Sequence, residues 1–116
     1  MKVLFVGDRP SSKNTYAHIP FVGTPSHKVL LGWYQPLGVK APALYNSHTA
    51  ALLSKVYAMH AIGYKVVALG NNASKRLTKL GVPHFKLPHP SPRNRQLNDP
   101  NFIVDKLAEC KVYLNK

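Results

Sequence analysis

Residues 49–80 run TAALLSKVYAMHAIGYKVVALGNNASKRLTKL, and three elements are legible in them. Ala50, Leu52, Leu53, Val56 and Met59 recur at helical spacing and Gly63 follows as a stop, so a helix is expected over 49–62. Lys65-Val66-Val67-Ala68-Leu69 is a short, continuous, β-branched run, which predicts a strand buried on both faces. Gly70-Asn71-Asn72 is too short to cradle a nucleotide's phosphates and reads as a structural turn into a helix over 73–80, closed by Gly81. A helix, a doubly buried strand and another helix in succession call for a parallel sheet with helices packed on it.

The rest of the chain extends this alternation. Residues 2–6 form a β-branched and aromatic run ended by Gly7, residues 41–45 a weaker second strand turned by Asn46-Ser47, and residues 84–87 a fourth strand. Ser26 is positioned to cap a helix over 27–34 with Val29, Leu30 and Trp33 on one face. A closing amphipathic helix is expected over 101–114, with Phe102, Ile103, Leu107 and Val112 inward. Residues 7–25 read as a long loop, a length that in compact domains usually carries function. Residues 88–95, Pro-His-Pro-Ser-Pro-Arg-Asn-Arg, can be neither helix nor central strand. The expected fold is α/β: one domain over 1–116, a three-layer α/β/α sandwich around a four-stranded, largely parallel sheet. Ligands bind beyond the carboxyl ends of such strands, so the loops after strands one, two and four would meet at one crevice with Asp8, Asn46 and His89.

Composition narrows the partners. Sixteen Lys and Arg face four acids, for a formal charge of +12, a bias that favours a polyanion, with nucleic acid first. No basic amphipathic helix with an aromatic face suggests a membrane surface, and the longest apolar runs fall far short of the roughly 20 residues that span a bilayer. The N-terminal run is too short for an export signal. A cytoplasmic monomer, associated with the nucleoid through DNA, is therefore expected. Cys110 is the single cysteine, which rules out a disulfide within the chain and a Cys-rich zinc site. No pair of the six histidines has the i, i+4 spacing of a zinc helix, so no metal or other cofactor is expected. Asp99, Asp105 and Glu109 lie near the end of the chain, which leaves Asp8 as the sole carboxylate for chemistry in the first 98 residues.

Five ordered pieces of this sequence resemble the uracil-DNA glycosylase superfamily, most closely its bacterial and archaeal family-four branch. Val3-Leu4-Phe5-Val6-Gly7-Asp8-Arg9-Pro10-Ser11 is similar to that branch's first strand and Gly-Glu-x-Pro-Gly turn. Ile19-Pro20-Phe21-Val22-Gly23, with Lys28 and Leu30-Leu31 beyond, is similar to its Pro-Phe-Val-Gly loop and leucine-rich helix. Leu44-Tyr45-Asn46 corresponds to the strand ending in a uracil-reading Asn. Val66-Val67-Ala68-Leu69-Gly70 with Ala73 matches the third strand and turn, and His89-Pro90-Ser91-Pro92 the His-Pro-Ser motif. The chain departs from the pattern in having Asp8 for Glu and Ser11 for Gly. It also lacks the four iron–sulfur cysteines, carries Pro92-Arg93-Asn94-Arg95 where an apolar wedge is usual, and is shorter overall.

The resemblance implies uracil excision by base flipping and hydrolysis of the glycosidic bond. Asp8 would position water and stabilise the cationic sugar, and His89 would donate to uracil O2. Phe21 would stack on the base, Asn46 would distinguish uracil from cytosine, and Tyr16 is the candidate to exclude thymine, Ser11 and Ser12 being small. Arg9, Ser91, Arg93, Asn94 and Arg95 would hold the DNA. Each residue also has a plainer reading: Asp8 as a turn residue, Phe21 as core, Asn46 as an Asx turn, His89 as part of a rigid loop. Two other functions remain open, a DNA-binding module without catalysis and a glycosylase for another damaged base.

Overall fold

The computed structural model describes residues 2–8, 25–90 and 94–116, with the side chains of Pro25 and Ser26 left aside. The elements alternate as β1 (Val3–Gly7), α1 (Pro25–Leu37), β2 (Ala43–Asn46), α2 (Ala50–Ala61), β3 (Lys65–Leu69), α3 (Asn71–Leu80), β4 (Phe85–Leu87), a 3-10 turn η1 (Arg95–Asn98) and α4 (Pro100–Leu114). All strand pairs are parallel, in the order β2-β1-β3-β4. The expected α/β class with a four-stranded sheet is what the chain adopts.

Alternation along the strands divides the apolar side chains between two helical layers. Val3, Phe5, Val67, Leu69 and Leu87 face α1 and α4, meeting Leu30, Trp33, Leu37, Leu107, Cys110 and Leu114. Leu4, Val6, Val66 and Ala68 face α2 and α3, meeting Val56, Ala73 and Leu77. β1 and β3, hydrogen-bonded on both edges, are therefore covered on both sides. The chain leaves β1 for β2 on one side and returns past it to β3 on the other. The sheet's switch point thus lies between the carboxyl ends of β1 and β3, where Gly7-Asp8 and Gly70-Asn71 emerge.

Local chemistry sets the element ends. The Thr49 side chain accepts from the Leu52 N–H at the start of α2, and Asp99 accepts from the Asn101 N–H with Pro100 in the first turn of α4. Gly81 ends α3 at φ +78°, a conformation that side chains disfavour. The first helix runs three residues past the expected Tyr34, because Pro36, one residue from its end, removes only a single late hydrogen bond. Ser26 lies inside α1 rather than before it.

Two further expectations need correction. Asn71 and Asn72 are not turn residues: α3 begins at Asn71, with Gly70 at φ +94° as its boundary. On α4, Leu107 is buried as expected, but Val112 is 61% exposed. The inward stripe continues through Cys110 and Leu114, spaced three and seven residues from Leu107. Phe102 belongs to neither core. The two sides of this helix should separate in stability measurements: Leu107→Ala is expected to cost about 2–5 kcal/mol and Val112→Ala under about 0.5 kcal/mol, read from urea midpoints.

Candidate functional site

The parallel sheet brings every strand's carboxyl end to one edge of the molecule, where the site is built on backbone positions rather than on long side chains. Asp8 follows β1, Asn46 ends β2 opposite Gly7, Gly70 follows β3, and His89 lies two residues beyond β4. Gly70 and His89 are closely apposed, since a Cβ placed on Gly70 would lie 3.2 Å from the His89 Cβ. The Gly70 N–H donates to the Leu87 carbonyl, so the turns after β3 and β4 are tied together.

Asp8 is held by α3. Arg76 Nη1 donates to its carboxylate Oδ1 and, at 3.1 Å, to its backbone carbonyl, while Asn72 Nδ2 donates to Oδ2 at 3.1 Å. The same Nη1 approaches Ser47 Oγ at 3.2 Å, and the Ser47 hydroxyl donates to the Gly7 carbonyl at 2.7 Å. The Ser47 N–H completes the cluster by donating to the Asp8 carbonyl. The pair is about three-quarters buried, with side-chain exposures of 27% for Arg76 and 22% for Asp8.

Asn46 is 3% exposed, and its Oδ1 is buried with no hydrogen-bond partner among the described residues. A buried acceptor left without a partner costs about 1–3 kcal/mol. His89 is half-buried. Burial lowers its imidazole below the ordinary histidine value, and the Asp8 carboxylate partly opposes this by raising it. A neutral ring with one N–H and one acceptor nitrogen is the form that burial favours.

Of the other residues expected in the site, Arg9, Tyr16, Phe21, Ser91 and Arg93 lie outside the described residues. Arg95 is exposed at the start of η1. Asn94 is occupied internally: its Oδ1 accepts from the Gln96 N–H and its Nδ2 donates to the His89 carbonyl at 3.0 Å. It braces the His89 turn. His84 is likewise structural. The Val82 carbonyl can only accept, so Nδ1 carries a proton, and Nε2 lies in hydrogen-bond contact with the Ser74 hydroxyl at 2.8 Å. Sequence reasoning missed Ser47, Asn72 and Arg76. The last two are spaced i, i+4 on α3 beside the buried Ala73 and Leu77, a polar stripe opposite the chain's lone early acid.

Among the described residues, no three of His, Cys, Asp and Glu cluster as metal ligands, and no helix is long and apolar enough to cross a membrane. No family model and no curated protein matches the chain.

Two measurements check this geometry. In a double-mutant cycle of Asp8→Asn and Arg76→Met, the coupling should be about 1–3 kcal/mol from denaturant midpoints, and a value near zero would mean that the pair does not hold the turn. The His89 shift should appear as a pH dependence. The unfolded chain takes up its proton near the ordinary 6.5 and the folded chain only at lower pH, so the unfolded state binds more protons in between. Stability present above pH 6.5 should thus be lost as pH falls through that window, and His89→Gln should flatten the decline.

Proposed function

We propose that this protein is a DNA glycosylase that removes uracil. The observation that carries the reading is the buried Asn46 Oδ1, unpartnered among the described residues, at the same sheet edge as Asp8 and the half-buried His89. An Asn amide whose oxygen accepts from uracil N3–H turns its NH2 toward O4. Cytosine presents an acceptor at N3 and a donor at C4 and is mismatched at both.

The reaction breaks the C1′–N1 bond and forms a bond between C1′ and a water oxygen. Positive charge develops on the sugar and negative charge on the departing base. In this reading Asp8 lies beside the sugar, orients the water, accepts the proton that the water sheds on bonding to C1′ and offsets the cationic character, that proton passing through solvent to the released uracil anion, while Arg76 and Asn72 fix the carboxylate's direction from behind. His89, kept neutral by burial, donates its N–H to uracil O2 as the base leaves with the bonding electrons. The base is reached by flipping it out of the stack, with Phe21 as platform and Tyr16 beside C5. The +12 charge supplies sequence-independent affinity for the phosphates. Such an enzyme would act as a monomer on the nucleoid without a cofactor.

A second reading, a DNA-binding module without catalysis, is favoured by one specific feature. Both Asp8 carboxylate oxygens already accept hydrogen bonds from α3, which leaves fewer lone pairs to orient a water.

A labelled oligonucleotide with a single uracil, incubated with the protein and then treated with alkali, separates the two. The glycosylase reading expects cleavage at the uracil, reduced about 10²–10³-fold by His89→Ala and strongly by Asp8→Asn. Asn46→Ala should lose the preference for uracil over cytosine. Absence of abasic sites, with equal retention of uracil-containing and ordinary DNA, would establish the non-catalytic reading.

A further inference from the structure

Beside the β3–α3 turn lies a cavity of about 420 Å³, lined by Gly70, Asn71 and Lys86, by Leu87-Pro88-His89, by Asn94 and Gln96, and by Phe102 and Lys106 of α4. His89 is its only member in common with the Asp8, Asn46 and His89 set. The volume is in the range of small-ligand sites, and the chemistry of the wall is uneven. Phe102, which sequence periodicity assigns to the core, packs into neither apolar cluster and instead lines this space. The Lys106 ammonium lies over one face of its ring, 6.0 Å from the centroid. Lys86 Nζ donates to Asn71 Oδ1 at 3.1 Å at the amino end of α3.

Among the described residues, the lining therefore combines an aromatic ring and two cations with no carboxylate. Lys106 does pair with Glu109 at 3.4 Å, but that pair is exposed and contributes little, so exchanging it for a phosphate is inexpensive. An aromatic ring with the Lys106 ammonium over one face and a second lysine on the same cavity wall can hold one unit of a single nucleic-acid strand, the base against the ring's other face and the phosphate on the cations. A cationic small molecule would be repelled by the lysines, and a neutral one would gain less from them than a phosphate does.

We propose that this cavity is a second nucleotide subsite, holding a base on Phe102 and its phosphate on Lys86 and Lys106, next along the strand from the nucleotide at His89. The inference rests on the nucleic-acid part of the proposed function but not on excision. Because His89 borders both places, a strand crossing the sheet edge would fill them in succession. Asn94, which holds the His89 carbonyl and lines the cavity, links the subsite to the turn that carries the imidazole.

The test is binding of the intact protein to a short fluorescent oligothymidylate that contains no uracil, measured by anisotropy over a series of salt concentrations. Lys86→Gln with Lys106→Gln should weaken binding about tenfold and reduce the salt slope by about 0.7 for each phosphate that is no longer neutralised. Lys55→Gln with Lys79→Gln, an equal removal of charge on α2 and α3, should change affinity no more than about twofold. Phe102→Leu should weaken binding about tenfold, and Phe102→Tyr, which keeps the ring, should restore it. Equal losses in the two lysine pairs, an unaffected Phe102→Leu variant, or no binding by the wild type would each overturn the subsite. Binding that follows the expected pattern while the uracil oligonucleotide stays intact would instead retain the subsite and reject excision.

Discussion

Everything at the candidate site depends on β1 being the innermost element of the molecule. All five of its residues are buried, it is paired with β2 on one edge and β3 on the other, and helices close both of its faces. A strand so placed cannot slide, because a shift of one residue would exchange its two sets of apolar side chains between layers. Asp8 leaves the end of that strand and inherits its fixed position. The acid is thus oriented twice, by the sheet beneath it and by the guanidinium and amide that α3 brings alongside.

That second hold gives α3 two roles. Its Ala73 and Leu77 fill the layer over Leu4 and Val6, while Asn72 and Arg76, one position before each, reach the Asp8 turn. Packing and polar bonding come from adjacent stripes of one short helix, so the depth at which the helix seats also sets the geometry around the carboxylate. Ser47 extends the same network to the end of β2, the position next to Asn46. The ends of β1 and β2 are in this way bound with α3 into one polar unit, and the turns after β3 and β4 meet beside it where Gly70 touches His89.

Much of the architecture was legible because periodicity is a local property. The run 65–69 is too short and too uniformly apolar to be anything but a doubly covered strand, and the glycines at 63 and 81 mark real helix ends. What escaped was non-local. Arg76 looks like one more cation in a basic chain, and only the fold reveals that it sits opposite the sole acid of the first 98 residues. Phe102 and Ile103 are neighbours on the same general side of α4, and spacing alone cannot tell that one reaches the core while the other turns into a cavity. Asn94 sits in a Pro-rich, Arg-rich run, and no period in that run announces that its amide closes a local turn.

Asn46 carries one last implication. A protein selected for robustness alone would fill that position with a side chain of similar size that needs no partner, and it would melt at a higher temperature for having done so. Among the described residues the amide oxygen finds no partner, so its burial adds nothing to the endurance of the fold.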